Sequence, residues 1–213
     1  ALATYYMSIG IGSGASLFIG GLILQALPPQ GLELPLLGQM ENWRWMFLFA
    51  GAPGFIVACL LFTVKEPERR ETSGNTTDKQ PSIAEVAAFV KTHAATFSRL
   101  LVYPSILAVI GYGSLAWAPA LMQRRFAMPI GESGQTVGLL IAVCGTLGTL
   151  ISGWLSDHWH NAGVAAARFR VTLVGQAVLL PCVSFWSIMP NAVFALTLLG
   201  IGLIGLAIAQ TAA

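Results

Sequence analysis

Charged side chains are scarce in this sequence of 213 residues, of which only 9% are Asp, Glu, Lys or Arg and 55% are hydrophobic. A soluble globular domain carries about 25% charged residues, so this composition excludes an ordinary water-exposed surface. The charges are also confined, since none occurs before Glu33 and none after Arg170. The net charge of +2 comes from no basic domain, and we therefore predict no nucleic-acid partner.

Cysteine is also rare, and the sequence predicts neither a metal site nor a cofactor. The three cysteines lie within apolar runs and lack the spacing of metal ligands. We interpret them as small packing residues. They are Cys59, Cys144 and Cys182.

Long apolar runs are what the sequence has in place of charge. A helix of roughly 20 apolar residues crosses the hydrocarbon core of a bilayer. The runs lack the alternation of barrel strands, so we predict an all-α polytopic protein embedded in the lipid bilayer. The six predicted transmembrane helices cover residues 4–27, 44–64, 101–123, 135–156, 169–189 and 191–213.

The distribution of Lys and Arg predicts the orientation in the membrane, because these residues collect in cytoplasmic loops. Segments 65–100 and 157–170 hold eight of them, whereas the opposite side holds only Arg44, Arg124 and Arg125. Both segments, and with them both ends of the chain, are expected to be cytoplasmic, in a bacterial inner or plasma membrane. The chain starts beside one apolar run and stops inside another, so we expect it to be a fragment of a longer protein.

The long segment 65–100 is expected to contain a flexible linker, residues 65–81, followed by a short helix. Ser82 and Glu85 have the spacing of a capping box. Apolar residues then follow at helical spacing and predict an amphipathic helix on the membrane surface. It is either a connector or a lipid sensor, and the low basic charge of its polar face favours the connector. The apolar residues are Ile83, Val86, Val90 and Phe97.

Glycine is abundant, and in the first span Gly10, Gly14 and Gly21 lie on one helix face, which predicts close packing against another helix. The stretch Gly14-Ala-Ser16 is similar to the nucleophile region of an intramembrane rhomboid protease. That chemistry needs a histidine inside the membrane. All three histidines lie outside the predicted spans, so we predict that the chain is not an enzyme.

The second span carries the most specific pattern, Trp43-Arg-Trp-Met-Phe-Leu-Phe-Ala-Gly-Ala-Pro-Gly54, and ends in Lys65-Glu-Pro-Glu-Arg-Arg70. Pro53 is expected to bend this helix. A Gly-rich span followed by these two motifs resembles the fifth and sixth helices of a major facilitator superfamily transporter. The third span, Tyr112-Gly-Ser-Leu-Ala-Trp-Ala-Pro119, resembles the seventh helix of the spinster-like branch of that superfamily.

The resemblance implies that the chain corresponds to helices five to ten of twelve. Residues 1–64 would be the last two helices of the N-terminal half, 65–100 the cytoplasmic linker, and 101–213 the first four helices of the C-terminal half. It further implies secondary active transport by alternating access of the two halves. The only charged residues of the predicted spans, Arg44 and Arg170, lie at span ends, so any coupling proton or ion would use helices outside this chain.

A cluster of polar residues follows the fourth span in Gly153-Trp-Leu-Ser-Asp-His-Trp-His160. By the resemblance, Gly153, Leu155 and Asp157 match a cytoplasmic loop motif of the superfamily that gates and docks helices. A histidine stands where the family has arginine, so the prediction rests mainly on Asp157. The alternatives are a metal site, which lacks a third ligand, and a solvated loop with two exposed histidines.

Uncharged polar and aromatic residues within the spans are the candidates for a path taken by a small-molecule substrate. Gly111, Gly113 and Pro119 would let the third span bend, and interrupted helices mark binding sites in transporters. A path without charges favours an amphipathic or lipid-like solute. The alternative is ordinary helix packing in a receptor or scaffold that transports nothing. The candidates are Tyr112, Trp117, Thr146, Thr149, Gln176 and Gln210.

Overall fold

The computed structural model describes residues 2–28, 31–34, 38–65 and 82–212, and in this part of the chain it contains seven α-helices. A single 3₁₀ turn, Trp186–Ile188, follows the sixth helix. The predicted linker lies outside the described residues beyond Lys65. The helices are α1 Leu2–Ala26, α2 Asn42–Leu61, α3 Ile83–Thr92, α4 Ala94–Phe126, α5 Ile130–Asn161, α6 Ala167–Phe185 and α7 Ala192–Ala212.

Six of these helices, all except α3, are long and apolar enough to cross a membrane. Each corresponds to one predicted span, and the prediction of an all-α polytopic membrane protein is confirmed. Inside a bilayer the helix is favoured because it pairs every backbone donor and acceptor within its own segment.

The main difference from the prediction is the length of α4 and α5, which have 33 and 32 residues. Helical hydrogen bonding continues past the apolar run into charged residues, whereas hydropathy marks only the part that fits the lipid. At 1.5 Å per residue α5 is about 48 Å long, so its ends project beyond a hydrocarbon core of about 30 Å. Glu132 and Asp157 therefore lie in the end turns of α5.

A small β-hairpin between α1 and α2 is a feature that the sequence did not predict. Its strands, β1 Leu32–Leu34 and β2 Gly38–Met40, are antiparallel and pair Leu32 with Met40. Gly31 and Gly38 have φ of 82° and 69°, a region that favours glycine. Strands of three residues are too short to show an alternating pattern in the sequence.

The capping box at the start of α3 is confirmed. The Ser82 Oγ accepts a hydrogen bond from the Glu85 N–H at 3.3 Å, and the Glu85 Oε2 accepts one from the Ser82 N–H at 2.8 Å. The amphipathic helix is shorter than its apolar pattern suggested, because α3 ends at Thr92 and Phe97 lies on α4. His93 separates the two helices and caps the end of α3.

The described residues form two compact units, Ala1–Met46 with Leu107–Ala213, and Phe47–Ile106. In the first unit α5 packs against both α1 and α7, and α7 packs against α6. In the second unit, the described part of α2 has no buried residue.

The core of the first unit is centred on α7 and built from close backbone approaches. A Cβ added at Gly148 of α5 would lie 2.5 Å from the carbonyl oxygen of Ile204 on α7. One added at Gly175 of α6 would lie 2.6 Å from the amide nitrogen of Ala209. Small residues thus let three helices approach closely, as is common in membranes. Buried side chains around them include Leu107, Met122, Val137, Ile141, Leu179, Leu199 and Leu203.

Candidate functional site

The longest helix contact in the first unit joins α1 to α5, and we call it the α1–α5 seam. It consists of Gly10, Gly14 and Gly21 on α1 and of the α5 residues that face them. Gly10 faces Gly145, and Gly14 faces Gly138 and Ala142, so the helices are antiparallel. Gly21 faces Gly131, Gly134 and Gln135.

The seam is tight both in its middle and at its Gly21 end, where a Cβ added at Gly21 would lie 2.4 Å from the Gly131 carbonyl oxygen. A Cβ added at Gly14 would lie 2.5 Å from the Gly138 carbonyl oxygen and 2.5 Å from the Ala142 amide nitrogen. One added at Gly138 would lie 2.5 Å from the amide nitrogen of Phe18. At Gly14 and Gly138 backbone therefore touches backbone, and no large side chain stands between these two residues.

Two polar groups are buried in the seam. The Gln135 Nε2 and the Thr146 Oγ1 are buried and have no hydrogen-bond partner among the described residues. The two positions are eleven residues apart, about 16 Å along α5, and therefore lie on nearly the same helix face. Of the predicted path residues, Thr146 is thus placed at the seam.

Gln135 was missed because the predicted span began at that position, where a polar residue suggests a helix end. The helix in fact starts five residues earlier, at Ile130. A glutamine within a helix of a membrane protein is the signal that could have identified it.

Thr149 behaves differently from Thr146. Its hydroxyl donates to the Gly145 carbonyl oxygen at 3.0 Å, which is ordinary bonding within a helix. Gln210 is exposed and Gln176 is half-buried. These three residues do not meet at the seam, and the structure does not gather the predicted path residues into one site.

The aromatic candidates on α4 point away from the core of the first unit. Tyr112 is 74% exposed and Trp117 is 63% exposed, whereas Gly111, Ala118 and Met122 form the buried face of the helix. The described residues leave both aromatic rings accessible to a solute or to lipid.

The residues predicted to bend helices lie in unbroken helices. A Cβ added at Gly111 would lie 3.1 Å from the Leu206 Cδ2, whereas one added at Gly113 would meet nothing within 4 Å. Helix α4 continues through Pro119, and α2 continues through Pro53.

A small apolar cleft of about 10 Å³ lies beside Gly111, between α4, α6 and α7. Ser114 is its only hydroxyl-bearing side chain in the described part of the chain. The cleft is lined by Ile110, Gly111, Ser114, Leu179, Val183, Leu199, Gly202, Leu203 and Leu206.

The motif from Gly153 to His160 belongs to the last turns of α5 and does not form a loop. Leu155 and Trp159 pack against the buried pair Val171 of α6 and Ile208 of α7. One turn earlier, the Ser152 hydroxyl donates to the carbonyl oxygen of Ile208 at 3.1 Å. This end of α5 is thus attached to both neighbouring helices.

The polar side chains of the motif point outward. Asp157 is exposed, and its carboxylate makes no hydrogen bond or ion pair with the part of the chain that the structure describes. The His158 ring stacks on that of Trp154 at 5.4 Å. No group of three His, Cys, Asp or Glu side chains among the described residues could hold a metal ion.

Arg125 links the other ends of two helices and was not singled out by the sequence. Its guanidinium donates to the carbonyl oxygens of Ser187 and, at 3.1 Å, of Ile188. Positive charge at the carbonyl end of a helix is favourable. The last turn of α4 is thereby joined to the turn that follows α6.

Comparisons with known proteins agree with this architecture. The family model of the Major Facilitator Superfamily matches residues 1–213. The chain is 30% identical over 166 residues to a protein of Mycolicibacterium smegmatis (strain ATCC 700084 / mc(2)155) named MFS-type efflux pump. The match covers 74% of this chain and 33% of that protein, so the chain spans about a third of the length of this relative. No solved structure matches the chain.

Proposed function

The chain belongs to the Major Facilitator Superfamily, and we propose that it works as part of a secondary active transporter that uses alternating access. The observation that carries this proposal is the α1–α5 seam, where backbone meets backbone at Gly14 and Gly138. A transporter needs two packed elements that separate and re-form repeatedly. At Gly14 and Gly138 no large side chain has to withdraw when the two helices separate.

The helices can be assigned to consecutive positions in a transporter of this superfamily. We assign α1 and α2 to the end of the N-terminal six-helix half, residues 65–100 to the linker, and α4 to α7 to the start of the C-terminal half. The seam then joins the two halves, and rocking of one against the other would open it. The Lys and Arg distribution places both ends of this chain in the cytoplasm.

The solute is proposed to be a small amphipathic or lipid-like organic molecule. Charged residues of the described membrane-spanning helices are confined to the first two and last two turns, so the membrane interior offers aromatic and uncharged polar contacts. The exposed Tyr112 and Trp117 would contact apolar parts of the solute, and Gln210 would contact a polar part. Export is the favoured direction, because the relative is named an efflux pump.

Coupling to a proton or ion would use helices outside this chain. Intramembrane ionisable groups are the usual relays, and the middle turns of the described spans have none. We also propose that the chain performs no catalytic step. The third span's similarity to the spinster-like branch is a further reason to test lipid-like solutes first.

The cytoplasmic end of α5 is proposed to dock helices during the cycle. Leu155 already packs on α6 and α7, and Gly153 lies on the same helical segment. The exposed Asp157 carboxylate is available to pair with a group on another helix in a different state. This proposed role is supported by the family motif and by the packing of Leu155, the apolar residue of that motif.

A reversible cross-link across the seam tests the proposal. Cβ atoms added at Gly10 and Gly145 would each lie about 4 Å from the other residue's backbone, at 4.0 Å and 3.9 Å from its Cα, close enough for a disulfide. We expect the Gly10→Cys/Gly145→Cys protein, with its native cysteines replaced, to transport solute in vesicles when reduced. Oxidation should stop transport, because the halves could no longer separate, and dithiothreitol should restore it.

The matched control is Gly12→Cys/Gly145→Cys, because a Cβ at Gly12 meets nothing within 4 Å. This pair should not cross-link and should transport under both conditions. Transport that continues unchanged in the cross-linked protein would show that the seam does not open. A reduced, folded protein that moves no amphipathic solute would instead favour a receptor or scaffold.

A further inference from the structure

Two hydrogen-bonding groups in the α1–α5 seam lack partners, and both belong to α5. The Gln135 Nε2 and the Thr146 Oγ1 are shielded from solvent, and the described residues offer them no hydrogen bond. Gln135 lies beside Gly21, where a Cβ would meet its Cγ at 2.9 Å. Thr146 lies beside Gly10, where a Cβ would meet its amide nitrogen at 3.8 Å.

An unsatisfied buried donor costs about 1–3 kcal/mol, so each group destabilises the closed seam. Other buried hydroxyls in the first unit avoid this cost. Those of Thr149 and Thr172 donate to carbonyl oxygens one turn back, and that of Ser152 donates to Ile208. The helix could therefore satisfy a threonine hydroxyl internally, and at position 146 it does not.

The cost disappears in a state in which the seam is open. There the amide and the hydroxyl can bond to water or to a polar atom of a molecule that enters between α1 and α5. Glycines and Ala142 form most of the rest of the seam, and the Gln25 side chain lies against Gly131 at the Gly21 end. The two groups lie about 16 Å apart along the seam. A solute that moves along the seam would therefore meet them one after the other.

We propose that Gln135 and Thr146 bind the uncharged polar groups of the transported solute when α1 and α5 separate. This inference rests on the proposed transport function and adds the chemistry that the seam recognises. A carboxamide N–H and a hydroxyl donate to carbonyl, ester or ether oxygens. The seam carries no charged side chain among the described residues, so it would distinguish solutes by their hydrogen-bond acceptors and not by their charge.

The test compares two lipophilic cations of equal charge in proteoliposomes containing the complete transporter. Rhodamine 6G carries an ester carbonyl, whereas tetraphenylphosphonium has no hydrogen-bonding group. Gln135→Met and Thr146→Val replace the polar groups with apolar groups of similar shape. For each variant we expect KM for rhodamine 6G to rise about threefold to tenfold, as for the loss of one hydrogen bond, and KM for tetraphenylphosphonium to stay unchanged.

Thr172→Val is the matched control, because that hydroxyl is buried but bonded within its own helix at 3.1 Å to Arg168. It should leave KM for both probes unchanged. Unfolding of each variant in nanodiscs is measured in parallel. Removal of an unsatisfied donor should leave stability equal or higher at positions 135 and 146 and thus exclude misfolding as the cause.

The outcomes separate this inference from the function on which it rests. Suppose that the unaltered protein transports tetraphenylphosphonium and that the variants affect both probes equally or not at all. The proposed contacts of Gln135 and Thr146 with the solute are then wrong, whereas the proposed transport function is supported. If it binds no rhodamine 6G in nanodiscs, the preference for hydrogen-bond acceptors is wrong. If it transports neither probe nor any other amphipathic solute, the transport function itself is wrong.

Discussion

Gly14 shows how much of this protein depends on the absence of a single side chain. The amide nitrogen of Ala142 and the carbonyl oxygen of Gly138 occupy the space that a Cβ would need. Backbone atoms cannot move aside as the end of a flexible side chain can. Two turns of α5 would have to shift to admit even a methyl group.

We therefore expect Gly14→Ala to destabilise the protein by about 1–3 kcal/mol, the usual cost of overpacking. Gly12→Ala adds the same methyl group to the same helix but meets nothing within 4 Å, so it should be neutral. Thermal unfolding of both variants in nanodiscs measures the difference. Equal unfolding temperatures would contradict the backbone contact at Gly14.

The spacing of residues in the sequence can predict which of them share one face of a helix. Steps of four and seven residues placed Gly10, Gly14 and Gly21 on one face of α1, and the structure places all three against α5. Spacing within one helix contains no information about which partner lies opposite. The burial of Gln135 could not be predicted from the spacing within α5 either, since Gly21 lies against it across the seam.

At the scale of elements, α4 and α6 are joined at one end by Arg125. Its guanidinium donates to carbonyl oxygens in the turn that follows α6 and lies 5.7 Å from the ring of Phe126. Those carbonyls come at the end of the helix, where intrahelical donors are lacking. The contact fixes the turn between α6 and α7.

We expect Arg125→Gln to speed amide hydrogen exchange in residues 186–191 about fivefold, which corresponds to the loss of about 1 kcal/mol. Arg124→Gln removes the same charge from the neighbouring exposed residue and should leave exchange there unchanged. Mass spectrometry of the protein in nanodiscs provides the measurement. Equal exchange in both variants would mean that net charge, and not the bond to the turn, matters.

The sequence predicted which segments form membrane helices better than it predicted where each helix begins and ends. Apolar runs identified every membrane helix because the bilayer demands about 20 apolar residues. The same criterion ended the fourth span at residue 156, although α5 continues to Asn161. The polar motif around Asp157 therefore looked like a loop in the sequence and is a helix end in the structure.

At the scale of the whole molecule, orientation in the membrane is a prediction from charge alone. The positive residues predict that the turn between α5 and α6 lies in the cytoplasm and that the turn between α4 and α5 lies outside. Ala127 and Gly163 are exposed and represent these two turns. Each can carry a cysteine in a protein whose native cysteines have been replaced.

In intact cells we expect a membrane-impermeant maleimide to label Ala127→Cys and to spare Gly163→Cys. Permeabilised cells should show labelling at both positions, which controls for reactivity. Labelling of Gly163→Cys alone in intact cells would reverse the proposed orientation. It would also place the α5 docking motif on the opposite side of the membrane.

The sequence by itself determined that the chain is a helical membrane protein, with the six spans that the described residues contain, and its motifs indicated the superfamily. Both follow from local properties, since hydropathy and short motifs are read along the chain and the bilayer leaves few alternatives to a helix. Only the tertiary structure decided that α1 packs on α5, that Thr146 lacks a partner while Thr149 has one, and that Arg125 reaches the end of α6. Those facts depend on distances between residues far apart in the chain, and a single sequence does not specify which helix faces which.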